Sequence, residues 1–142
     1  VNAEIVAAAR RWIGTPYCHQ AAAKGSGCDC LGLVRGVWLE VLGAEPETVP
    51  AYAPDWSEAT GDESLWRAAR RHLREKQARD AGPGDVILFR MRDGAVAKHL
   101  GIMATEASFI HSYSGHGVVE SALTMPWQRR IVAAFSFLEG RT

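Results

Sequence analysis

A chain of 142 residues, 47% apolar and 23% charged, is long enough to bury a core as one domain and has the balance of an ordinary globular protein. Its 16 basic and 16 acidic residues cancel, so the electrostatic footprint of a nucleic-acid or membrane-surface binder is missing and selectivity has to come from a shaped pocket. Three cysteines cannot all pair, no apolar run approaches the roughly 20 residues that span a bilayer, and Val1-Asn2-Ala3-Glu4 does not read as a signal peptide.

The first expected element is a helix capped by Asn2, with Ile5, Ala8, Ala9, Trp12 and Ile13 on one face, stopped by Gly14-Thr15-Pro16. A polar, Gly-rich loop covers residues 17–27. A second helix starts at Asp29 or Cys30, with the stripe Leu31, Val34, Trp38, Leu39 and Leu42 inward and Gly43 as its stop. Gly32 and Gly36 weaken it but allow a sheet or a substrate backbone to come close. Residues 44–61 read as an irregular, Pro- and acid-containing excursion. Asp62 then opens a third helix with Leu65, Trp66, Ala69 and Leu73 inward, and Arg67, Arg70, Arg71 and Arg74 mostly outside that stripe, as a solvated face or, less favoured, a contact for an anionic polymer or a partner. After Ala81-Gly82-Pro83-Gly84 the pattern becomes strand-like, with candidate strands at 85–90, 97–104, 108–113, 117–121 and 131–137. Helices followed by short, closely connected strands make an α+β fold with an antiparallel sheet, since strand and helix do not alternate.

The chemistry concentrates in Gly27-Cys28-Asp29-Cys30-Leu31-Gly32, where a loop turns into a helix. If Asp29 caps that helix, Cys30 lies in its first turn, where the macrodipole and free N–H groups favour a thiolate and the Cys30 N–H can meet an oxyanion. Placement of this kind can bring a thiol pKa from about 8.5 to between roughly 3.5 and 7.5. His99 and His111 follow, 12 residues apart. An odd-length loop around Thr105-Glu106 would put both on one face, nearly opposite each other, one as base and the other as its orienter. The bland alternative is two unconnected histidines, one solvated and one in the core. The Tyr17 hydroxyl can donate to an oxyanion, or its ring can pack against the first helix; the sequence alone favours packing.

Five motifs in order carry a resemblance. Gly14-Thr15-Pro16-Tyr17, Asp29-Cys30-Leu31-Gly32-Leu33-Val34, Gly84-Asp85-Val86-Ile87-Leu88-Phe89, His99-Leu100-Gly101-Ile102 and Phe109-Ile110-His111 resemble the NlpC-type cell-wall cysteine peptidases over nearly the whole chain. Within them the chain looks most like the peptidases of phage tails and gene transfer agents. The resemblance implies a papain-like α+β fold in one domain over residues 1–142, with an insertion at about 44–80. It implies Cys30 as nucleophile, His99 as general base and His111 as orienter, with Tyr17 and Asp29 positioning substrate at the oxyanion. The implied substrate is the stem peptide of peptidoglycan, cut at a D-glutamyl–diamino-acid bond, with no metal or organic cofactor. The implied setting is a phage-like particle acting on the cell wall, with tail proteins as partners. Two departures stand out: Leu31 where the family usually has Ser, and the long 44–80 segment.

Three other readings compete. A zinc site from Cys18, His19, Cys28 and Cys30 has cramped spacing for a tetrahedron. A redox pair of Cys28 with Cys30 or Cys18 would silence a nucleophile reversibly. A catalytically idle wall-binding or tail-tip component would use the fold alone.

Overall fold

The computed structural model of the chain describes residues 2–43, 61 and 63–137. Helix α1 (Asn2–Arg11) buries Ile5, Val6, Ala8 and Ala9, and Trp12 follows them into the core while Ile13 stays 45% exposed. Asn2 is already the first helical residue, not a cap. Strands β1 (Ala22–Ala23) and β2 (Gly27–Cys28) form a small antiparallel hairpin within the Gly-rich loop.

Helix α2 (Cys30–Leu42) is bounded as its sequence requires. The Asp29 carboxylate accepts from the Gly32 N–H at one end, and Gly43 takes a left-handed conformation (φ 91°) at the other. Its buried face differs from the expected stripe. Leu33, Val34 and Val37 are inside, and Leu39 is 51% exposed. Two glycines explain the rotation. A Cβ on Gly32 would lie 1.8 Å from the Ala21 carbonyl oxygen, and one on Gly36 about as close (2.1 Å) to the Trp12 ring. The helix therefore turns its glycine side to its own preceding loop and to Trp12, not to a sheet or a substrate.

The expected excursion at 44–60 lies outside the described residues, as does Asp62. Helix α3 (Ser64–His72) then buries Leu65 and Ala69 and is followed by buried Leu73. Arg67, Arg70, Arg71 and Arg74 are exposed. Arg70 pairs with Glu75 at 2.6 Å and lies over the Trp66 ring.

A six-stranded sheet completes the fold. It contains β3 (Arg74–Lys76), β4 (Val86–Arg90), β5 (Ala97–Thr105), β6 (Ser108–Tyr113), β7 (Gly117–Ala122) and β8 (Ile131–Ser136), in the order β3-β8-β4-β5-β6-β7. Its neighbouring strands all run antiparallel. The five expected strands are present. The edge strand β3 and the short helix α4 (Met125–Gln128) carried no readable periodicity.

The sheet has two apolar faces. Val86, Leu88, Leu100, Ile102, Ile110, Val118 and Phe135 pack with α1, α2 and α3. On the other face, Ile87, Phe89, Met103, Phe109 and Ala134 form a smaller cluster that Trp127 of α4 covers. Period-two alternation along each strand creates both faces. No helix among the described residues is long and apolar enough to cross a membrane.

Candidate active site

The hairpin β5–β6 decides where the histidines go. It closes on the two residues Glu106-Ala107, with a register shift between Met103 and Thr105. That bulge supplies the odd residue the parity needs, so Met103 faces Phe109 and Ile102 faces Ile110. His99 and His111 consequently share a face as diagonal neighbours. Gly101 lies between them: a Cβ there would be 3.6 Å from the His111 Cβ and 2.9 Å from the Phe109 ring. With that space empty, His99 Nε2 comes 2.7 Å from His111 Nδ1. The two rings meet edge-on, walled by Phe89, Tyr113 and Trp127.

The cysteine approaches from the opposite side of the sheet. Pairing between β5 and β6 runs no further toward His99 than Ile102 and Ile110, and the start of α2 bridges the two strands at that end. Ser112 of β6 donates its hydroxyl to the Cys28 carbonyl at 2.7 Å, while the Cys30 thiol donates to the Lys98 carbonyl of β5 at 3.8 Å. The Leu100 N–H also points at the sulfur. Lys98 and Leu100 flank His99, so the sulfur lies against the backbone on both sides of that histidine.

Burial controls protonation here. It pushes the Cys30 thiol up to about 12, opposed by hydrogen bonds from the Leu100 and Leu31 N–H groups. Burial, and then its neighbour His111, bring His99 down to about 3. His111 falls to about 4 through burial and then His116. The shift of the thiol runs opposite to the lowering expected of a helix start. The helix start does aim N–H groups at the sulfur, but loss of water outweighs them, raising the thiol and lowering the imidazole.

Tyr17 is half-buried, bridged to Cys28, and close enough to Cys30 that burial first and the cysteine second raise its phenol pKa. The phenol stays protonated and can donate. Asp29 is different. Its Oδ1 accepts from the Gly32 N–H and its Oδ2 from the Gln20 N–H, both at 2.7 Å, and the residue is 3% exposed. It anchors the helix start and the loop before it.

The cysteines are free thiols, Cys18 exposed and Cys28 buried. Among the described residues no three His, Cys, Asp or Glu side chains gather as metal ligands, so the cramped zinc arrangement does not assemble. Two participants were not anticipated. Trp127 contacts both histidines, from a helix too short to show a period. Ser121 puts its Oγ 2.9 Å from His111 Nε2. Counting by twos from Val119, which faces His111, would have found it had the β6–β7 register been known.

The chain is similar to known proteins. The NlpC/P60 family model matches residues 14–136. The probable endopeptidase NlpC of Escherichia coli is 28% identical over 120 residues, 83% of this chain and 66% of that protein. The murein DD-endopeptidase MepS/murein LD-carboxypeptidase of Escherichia coli is 29% identical over 84% of this chain and 54% of its own length. A gamma-DL-glutamyl hydrolase of Bacillus subtilis is 30% identical over 84% of this chain and 25% of its own. The chain thus spans at most about two thirds of these relatives. The crystal structure of the NlpC/p60 domain of the peptidoglycan hydrolase SagA superimposes with a TM-score of 0.67 at 25% identity, over 96% of this chain and 99% of that one. The α+β, papain-like arrangement is therefore shared, and from the turn before Tyr17 to the last strand the chain belongs to the NlpC/P60 family.

Proposed function

We propose that the chain is a single-domain cysteine endopeptidase that hydrolyses stem peptides of peptidoglycan, at a D-glutamyl–diamino-acid bond, through Cys30, His99 and His111. One observation carries the reading: a buried thiol at a helix start abuts the backbone on both sides of a histidine that is itself hydrogen-bonded to a second histidine. Relatives named as murein and glutamyl hydrolases support the substrate class. The motif resemblance supports a setting in a phage-tail or gene-transfer-agent particle acting on the cell wall.

His99 Nε2 is engaged by His111, which leaves Nδ1 for the thiol. As the sulfur attacks the carbonyl carbon, His99 takes its proton, so charge separates only when the substrate has displaced water. The oxyanion is met by the Cys30 N–H and the Tyr17 hydroxyl. His99 then protonates the departing amine, leaving a thioester, and activates the water that hydrolyses it. Leu31 and Trp127 give the surroundings an apolar character suited to the uncharged part of a peptide.

Purified peptidoglycan digested with the protein, and its fragments weighed by mass spectrometry, tests this. New amino termini on the diamino acid are expected, and none with Cys30→Ala. Intact sacculi after wild-type treatment, or cleavage that survives Cys30→Ala, would overturn the reading.

A further inference from the structure

The geometry points to Ser121 as a positioning residue that sets the proton pattern of both histidines through the His111 ring. The inference rests on the thiol mechanism above, with His99 as its base. It deepens that mechanism by asking which nitrogen of each ring holds a hydrogen.

A neutral imidazole has one N–H and one lone pair. To take the thiol proton at Nδ1, His99 must hold its hydrogen on Nε2. That hydrogen is donated across 2.7 Å to His111 Nδ1, so Nδ1 of His111 has to be bare and its hydrogen has to sit on Nε2. The partner of that Nε2 is the Ser121 hydroxyl, at 2.9 Å. The opposite polarity satisfies the same three groups: Ser121 donates to Nε2, His111 donates from Nδ1, and His99 holds its hydrogen on Nδ1. In that pattern His99 cannot act as a base. The two patterns differ at the Ser121 oxygen.

Several features favour serine as the acceptor. Its oxygen has two lone pairs, so it can accept from His111 while its own hydrogen turns to solvent, which its half-buried place on β7 allows. Ser121 is also uncharged. A carboxylate at the same place would draw a proton onto His111, and an imidazolium there has no lone pair to accept from His99. The strand holds the oxygen in place: Ser121 pairs with Phe109, and Val119 with His111, so the serine is diagonal to the ring it contacts.

Two isosteric β-branched replacements keep the strand and separate hydrogen bonding from packing: Ser121→Thr retains the hydroxyl and Ser121→Val does not. Nitrogen-15 NMR of the imidazoles in the full chain reads the tautomers directly. Wild type and Ser121→Thr should show Nε2–H on both His99 and His111, and Ser121→Val should shift His111 toward Nδ1–H. Turnover on stem peptide should fall about 10-fold or more in Ser121→Val with KM unchanged, as for other groups that orient a histidine from behind, and Ser121→Thr should restore most of it. A Val variant with wild-type tautomers, or with wild-type turnover per folded molecule, overturns the inference, as does a Thr variant no better than Val. The tautomer spectra need no turnover, so a protein that leaves peptidoglycan intact would refute the proposed activity while the spectra still decide the role of Ser121.

Discussion

At the scale of single residues, the mechanism puts unequal demands on the three thiols. In the proposed mechanism Cys30→Ala removes the attacking atom, and hydrolysis should fall by about 10^4-fold or more. Cys18→Ala and Cys28→Ala should retain activity, and a thiol-specific affinity label should be found on Cys30 first by peptide mapping. Because burial holds the Cys30 thiol near 12, alkylation by a small neutral reagent should climb steadily into the alkaline range. A plateau near neutral pH would instead reveal a resting thiolate–imidazolium pair. In the same proposal His111 acts through one lone pair, which an asparagine oxygen can replace in part. His111→Asn should therefore lower turnover modestly with KM and melting temperature nearly unchanged, and His111→Ala should lower turnover much more. If both changes only lowered stability, by about 1–3 kcal/mol, and left each folded molecule fully active, His111 would be a packing residue. Kinetics and melting curves on the same preparations separate the two.

At the scale of elements, the site depends on two close approaches that only glycine permits. On β5, a methyl group at position 101 would lie 2.9 Å from the Phe109 ring, which is fully buried and cannot swing away. Gly101→Ala should lower stability by about 1–3 kcal/mol and lower turnover of the folded protein as well, because the strain falls between His99 and His111. Stability loss without a turnover change would show that the hairpin relaxes away from the site. On α2, Gly32 admits the Ala21 carbonyl while Asp29 ties the same loop to the helix start. These contacts are local, and they bring Tyr17 and Cys30 to one place. The bulge near Thr105 is equally local, and the alignment of both histidines depends on it.

At the scale of the molecule, burying two neutral imidazoles links folding to protons. Both titrate near 6.5 when unfolded and near 3 and 4 when folded. As pH falls below about 6.5 the unfolded chain takes up protons that the folded chain refuses, so stability must drop, with a slope approaching two protons by about pH 5. Cys28 and Cys30 act at the other end. Their folded values of about 11 and 12, against 9 unfolded, mean that stability is present below pH 9 and is lost as pH rises toward them. Melting temperature should thus be flat between these limits and fall on both sides. Replacing His99 and His111 together by Asn should flatten the acid limb, and an unchanged acid limb would mean the rings charge without unfolding.

Much of this was legible in the residues themselves. Asp29 before Cys30 and Gly43 after Leu42 are local signals, and they fixed the ends of α2 because capping involves only a few neighbouring groups. Alternation by twos placed all five main strands, and the order of helices and strands gave the α+β class. Cys30, His99 and His111 stood out by residue type, motif order and spacing. What sequence could not supply was anything that depends on distance through space. The inward face of α2 was set by Trp12 and Ala21 meeting its glycines, not by its own largest side chains. The upward shift of the Cys30 thiol comes from burial, which outweighs the helix start that a sequence can show. Trp127 and Ser121 entered the site because α4 folds across the sheet and β7 pairs in one register, and neither fact is written in the residues next to them.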